Sequence, residues 1–125
     1  MKQKDKELLL KDLCARLPYK VKVCLYKKET CILTGIDGHE VYLNVDSDSF
    51  RIESIKPYLR PMSSMTEEES NEFQQLDTEC DKMPTFEYVS IEHYRIFDWL
   101  NTHHFDYRHL IEKGLALEAP KGMYK

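Results

Sequence analysis

A chain of 125 residues, 42% hydrophobic and 32% charged, is long enough for one packed domain or a small module with an appendage. It is too rich in apolar residues for a disordered polymer and too short for two independent catalytic domains. The net charge of −4 divides unevenly, with 12 Lys/Arg against 9 Asp/Glu over residues 1–62 and 6 against 13 over residues 63–125; so slight a basic excess at the front is no nucleic-acid footprint by itself.

In the lysine-rich N-terminus the only apolar run is Leu8–Leu10, far short of a signal or membrane-spanning segment, so the expected compartment is the cytoplasm. From Lys4 to Leu17, residues Leu9, Leu10, Leu13 and Leu17 recur at three- and four-residue spacing. This predicts an amphipathic helix that Pro18 ends. Four segments rich in β-branched and aromatic residues follow, Tyr19–Tyr26, Glu29–Ile36, His39–Val45 and Ser49–Ile55, and they read as strands.

Turn chemistry sets an expected register for these strands. A hairpin closed at Asp37-Gly38 places Thr34 opposite Val41 and Ile32 opposite Leu43, one closed at Lys27-Lys28 places Val23 opposite Ile32, and one closed over Asp46 to Ser49 places Leu43 opposite Ile52. All three put Val21, Val23, Leu25, Ile32, Val41, Leu43, Val45, Phe50 and Ile52 on one face. That face needs a cover, for which the opening helix and the segment Ile55–Leu59 stand nearest. The same register places Cys24 opposite Cys31 on the other face. With Cys14 and Cys80 they form no CxxC pair, so free thiols are expected rather than a zinc or redox motif.

After Pro61–Met65, Thr66 and Glu69 have capping-box spacing and predict a helix through Leu76. A linker is expected around residues 77–89. Ser90 caps a helix from Ile91 to about Thr102, and Asp106 caps a third, short helix that ends at Gly114. Leu115–Pro120 is expected to pack back as an extended segment. The fold class is therefore α+β: an N-terminal helix, a four- to five-stranded antiparallel meander or small barrel, and a helical C-terminal half. Residues 1–62 and 63–125 form the two parts, packed together as one compact protein.

The order of an N-terminal helix, a VKVCLY strand, a TGI strand into an Asp-Gly turn and a closing FRIESIKP segment resembles Sm-like and Src-homology-3-like small barrels over about residues 6–60. A second likeness rests on the fingerprint Asp98–Arg108 (DWLNTHHFDYR), followed by Gly114–Pro120 (GLALEAP). Leu13–Tyr19 and Lys56–Glu68 extend it over most of the chain. It resembles a family of uncharacterised short proteins from phage and mobile-element regions of gut anaerobes, and implies a setting without an activity.

Four groups of residues bear on function. His103, His104, Asp106, Arg108 and His109 form the densest polar cluster, but the histidine spacing lacks the i, i+4 pairing that would set two ligands together on a helix. Imidazoles at a helix end and an Asp at an N-cap account for them structurally, so no metal and no catalytic residue is assigned. Gly35, Gly38, Gly114 and Gly122 form no phosphate-binding or dinucleotide motif, so no cofactor is expected. Tyr88, Tyr94, Phe97, Trp99, Phe105 and Tyr107 crowd within 20 positions, and Tyr and Trp dominate protein-binding hot spots. The chain therefore reads as a non-enzymatic protein-interaction module of a mobile element, with this aromatic set facing an unidentified protein partner. The alternative is nucleic-acid binding by the small-barrel half, through Lys20, Lys22, Lys27, Lys28 and Arg51 with Tyr26 and Tyr42 as stacking platforms. No membrane contact is expected, and small barrels often assemble, so a homo-oligomer is compatible with the sequence.

Overall fold

The computed structural model describes residues 2–26, 28–45, 49–81 and 95–124, with 77–81 as backbone only. Helix α1 (Gln3–Arg16) is followed by a 3-10 turn at Leu17–Tyr19 that contains Pro18. Five strands follow: β1 (Lys22–Leu25), β2 (Glu29–Asp37), β3 (Glu40–Leu43), β4 (Ser49–Arg51) and β5 (Ile55–Leu59). Helix α2 (Glu67–Asp81), helical residues 95–102 (α3) and the short strand β6 (Leu117–Glu118) follow among the described residues. The protein is α+β as expected.

The sheet is open, with order β4-β3-β2-β1-β5-β6. Its first five strands pair antiparallel, and β6 adds to β5 in parallel. The segment Ile55–Leu59, expected as a cover, is instead a strand on β1, with Leu25 opposite Ile55 and Val23 opposite Pro57. A 3-10 turn at Ile52–Ser54 separates it from β4, so the expected fourth strand is split in two. The tail beyond Gly114 packs back as expected, since Leu117 and Glu118 pair with Tyr58 and Leu59.

All three predicted registers are corrected. Tyr26 adopts a left-handed φ of 52° and Lys28 N–H donates to the Leu25 carbonyl, so three residues rather than two close the first hairpin and Val23 faces Cys31. Such a φ is uncommon outside glycine and asparagine, and residue type at Tyr26 gave no sign of it. In the second hairpin the turn is Gly38-His39, with Gly38 at φ 62° and Asp37 opposite Glu40. A bulge between Leu33 and Gly35 then brings Leu33 opposite Leu43, absorbing one residue as bulges do. In the third, Val41 faces Phe50 and Tyr42 faces Ser49, so Val45 lies outside the ladder and is exposed.

The inner face therefore carries Cys31 and Leu33 in place of Ile32, beside Val21, Val23, Leu25, Val41 and Leu43. Cys24 faces Thr30 and Cys31 faces Val23, so alternation puts the two thiols on opposite faces and the expected juxtaposition does not occur. The inner face is covered by Leu9 and Leu13 of α1 and by Leu110, Leu115 and Ala116, all in one core cluster. Two further expectations change. Helix α2 runs on through Asp81, into the region read as a linker; the rest of that linker lies outside the described residues. Residues 107–114 form bends and turns in place of a third helix. His109 at φ 60° breaks the helical path there, while Gly114 at φ 73° occupies the left-handed position expected of it.

Candidate functional site

The C-terminal half is organised by a ladder of rings. Phe73 of α2 lies 5.8 Å from Trp99, Trp99 stacks on Phe105 at 5.7 Å, and the Arg60 guanidinium sits 4.3 Å from the Phe105 ring centre. Trp99 Nε1–H donates to Glu72 Oε2 at 3.0 Å, and this contact ties α3 to α2. A shorter pair, Phe97 and Tyr107 at 5.3 Å, stands beside the ladder. Tyr107 is held by two residues: its hydroxyl donates to Asn101 Oδ1 and accepts from Arg108 Nη1, and the Arg108 guanidinium lies 4.6 Å from its ring centre.

Of the six aromatic residues singled out from the sequence, Tyr88 and Tyr94 lie outside the described residues. Phe105 is fully buried and is no surface group, and Trp99 and Tyr107 are half-buried. Phe97 is 46% exposed. Among the four described rings of the set, three are spent on internal packing and Phe97 is presented at the surface.

The histidine cluster is dispersed. His103 Nδ1 lies 3.3 Å from Glu69 Oε2, His109 lies 3.6 Å from Glu112 at the surface, and Asp106 accepts the N–H groups of Leu110 and Ile111. His104, at φ 63°, is buried and stacks on Tyr124 with ring centres 3.7 Å apart. Among the described residues no group of three His, Cys, Asp or Glu side chains is placed to hold a metal.

Next to His104 is a charged cluster in which Arg108, already singled out in the polar cluster, meets two residues the sequence did not mark, Asp12 and Arg16. Asp12 and Arg16, both fully buried, pair at 2.8 Å across one turn of α1, and Arg108 Nη1 reaches the other Asp12 oxygen at 2.8 Å. Arg16 also donates through Nη2 to the Phe105 carbonyl. The buried stripe of α1 is thus Leu9, Asp12, Leu13 and Arg16. The one available signal was that Asp12 and Arg16 share the spacing of Leu9 and Leu13; charge alone made them look solvated.

A cleft of 1110 Å³ opens where the turn after α1, the end of β5, the N-terminus of α2, the end of α3 and the C-terminal tail meet. Lys20, Lys22, Arg60, His104 and Tyr124 line it, with Glu68, Glu69 and Glu118 also on its walls. Glu69 is committed to Arg60, at 2.6 and 2.8 Å, and these hydrogen bonds hold its carboxyl down to about 2. The Tyr124 hydroxyl accepts from Lys22 N–H at 2.9 Å and donates to the Tyr58 carbonyl at 2.8 Å, bridging β1 and β5 just past their last pair. Burial pushes that phenol up to about 12. The His104 imidazole is lowered from 6.5 to about 4 by burial first and then by Arg16, His103, Arg60 and Lys22.

The basic set of the nucleic-acid reading is divided by the fold. Lys20 and Lys22 stand at the start of β1 beside the tail, where Lys22 Nζ donates to the Met123 carbonyl. Tyr26 and Lys28 stand past its other end, both exposed, and Lys27 lies outside the described residues. Tyr26 is 60% exposed, with its ring edge-on to Phe50 at 6.3 Å, and Arg51 next to Phe50 is exposed. Tyr42 is half-buried and lies against Gly35, with its ring carbon 3.5 Å from where a Cβ would stand. A smaller cavity of 550 Å³ lies between Cys24, Tyr26, Lys56, Tyr58 and Leu117. Comparison with protein-family models, with curated proteins and with solved structures gives no match in any of the three.

Proposed function

We propose that the chain is a non-enzymatic protein-interaction module of a mobile element, and that it takes its partner on the Phe97–Tyr107 platform. The observation that carries this reading is that Phe97 stays 46% exposed while lying on a tyrosine fixed by Asn101 and Arg108. A ring held in place before binding loses little conformational entropy on docking, and pre-organised aromatic anchors of this kind dominate interface energetics.

A second reading, single-stranded nucleic acid, is favoured by the exposed Tyr26 ring on Phe50 with Lys28 and Arg51 close in sequence. One experiment separates the two. Tagged protein is used to capture partners from the lysate of the organism that carries it, with and without nuclease, in parallel with Phe97→Ala. A protein retained after nuclease and lost with Phe97→Ala is the expected outcome, since an anchor of this class contributes about 2 kcal/mol or more. Capture that vanishes with nuclease and is indifferent to Phe97→Ala moves the assignment to the Tyr26 end of the sheet.

A further inference from the structure

Two sheltered positive charges without a full counter-charge among the described residues stand on either side of one residue. In the buried cluster a single carboxylate, Asp12, serves two guanidiniums, Arg16 and Arg108. Arg16 Nη1 makes no hydrogen bond although its residue is fully buried. Lys22, half-buried at the cleft, meets the Met123 carbonyl at 3.1 Å and the Tyr124 ring at 5.8 Å, and no carboxylate among the described residues is within ion-pair reach of it.

His104 joins the two. It precedes Phe105, whose carbonyl Arg16 holds, and its ring lies on Tyr124, over which Lys22 sits. Its Nδ1 is buried without a partner although the residue is only 7% exposed and lines the cleft. The charges that act on the imidazole are Arg16, His103, Arg60 and Lys22, all of which disfavour its protonation. Of the nearby carboxylates, Glu69 is already bound by Arg60 and His103, and Glu68 and Glu118 are exposed on the cleft walls. Uncompensated positive charge in a sheltered site is costly, and an anion held by charge-assisted hydrogen bonds supplies what is missing.

We propose that the inner end of the cleft is an oxyanion site, in which a phosphate or carboxylate group of a small ligand rests between the Lys22 ammonium and the His104 ring. The cleft's 1110 Å³ leaves room for the body of a ligand beyond that group. Lining residues such as Pro61, Ala119 and Pro120 give it apolar walls, as ligand sites usually have.

The test uses the full-length protein in ¹H–¹⁵N NMR, titrated with sodium phosphate and separately with sodium acetate, each against sodium chloride at matched ionic strength. Saturable shifts at Lys22, His104 and Tyr124 with phosphate or acetate, absent with chloride, are expected, and the tighter of the two anions identifies the group. Lys22→Met should weaken that binding about tenfold, the effect of one charged hydrogen bond, while Lys28→Met leaves it unchanged. The proposal is overturned if neither anion shifts these residues beyond chloride, or if Lys22→Met binds as the parent does. Should Lys22→Met fail to fold, the chloride-matched titration of the unaltered protein decides by itself.

Discussion

Asp12 shows how much one buried residue can govern. Its two oxygens are the acceptors for Arg16 Nε and Arg108 Nη1, each at 2.8 Å, and Arg16 is fully buried. Removing one member of a buried ion pair strands the other, at about 3–5 kcal/mol, whereas replacing both with apolar groups is far cheaper. Asp12→Asn should therefore cost most of the stability in urea denaturation, and the double variant Asp12→Leu, Arg16→Leu, which leaves only the partly exposed Arg108 without its carboxylate, should lose less than Asp12→Asn alone. His104 adds a pH dependence. Its folded pKa of about 4 lies below the ordinary 6.5, so the unfolded chain binds the extra proton first. Stability from this group is complete above about pH 6.5 and falls as pH drops from there towards 4, by roughly 3 kcal/mol in all. Glu69, held to about 2 against an ordinary 4.5, continues the decline below pH 4.5. Urea midpoints across pH 4–7 should slope for the parent and flatten for His104→Asn, whose side chain does not titrate and whose backbone tolerates the left-handed φ. An unchanged slope in that variant would assign the dependence to another group.

Elements were legible where a local rule determines them. The capping box at α2 appears as the sequence implied: Thr66 N–H donates to Glu69 Oε1 at 3.0 Å and Glu69 N–H to Thr66 Oγ1 at 3.2 Å. Pro18 ends α1 within a residue of expectation, and the strands lie where β-branched residues cluster. Register was not legible, because it depends on backbone choices that residue type does not announce. Tyr26 at φ 52° lengthens one hairpin, and the bulge between Leu33 and Gly35 absorbs a residue in the next. Each shift exchanges the two faces of a strand, which is why Ile32 and Leu33 trade places. The candidate sites were legible as composition alone. The sequence located the aromatic crowd and the histidines, but which rings face inward follows from long-range contacts such as Arg60 on Phe105. Asp12 and Arg16 are buried by residues about 90 positions away, Phe105 and Arg108, and no local pattern contains that information.

At the scale of the whole molecule, residues from the C-terminal segment share an interior with α1 and the sheet. Leu110, Leu115 and Ala116 sit in the same cluster as Leu9, Leu13 and the inner sheet residues. β6 extends the sheet from the far end of the chain, Ala119 N–H donates to the Leu59 carbonyl, and the bridge of Arg60 with Phe105 is made by Arg60 N–H donating to the His104 carbonyl and Asp106 N–H donating to the Arg60 carbonyl. A piece ending at residue 62 would keep α1 and five strands yet lose the cover over part of its apolar face, the acceptor of Arg16 at Phe105 and the partner of Asp12 at Arg108. Small sheets without a complete cover are marginal. Residues 1–62 alone should therefore give collapsed amide dispersion in ¹H–¹⁵N spectra, and addition of residues 63–125 in trans should restore the dispersed spectrum of the intact chain. A cooperative melt and native-like dispersion from residues 1–62 alone would mean instead that the C-terminal half lies on a finished small sheet. The buried charges of α1 would then be satisfied by solvent once it leaves, and the stabilising role of Phe105 and Arg108 would fall with the shared core.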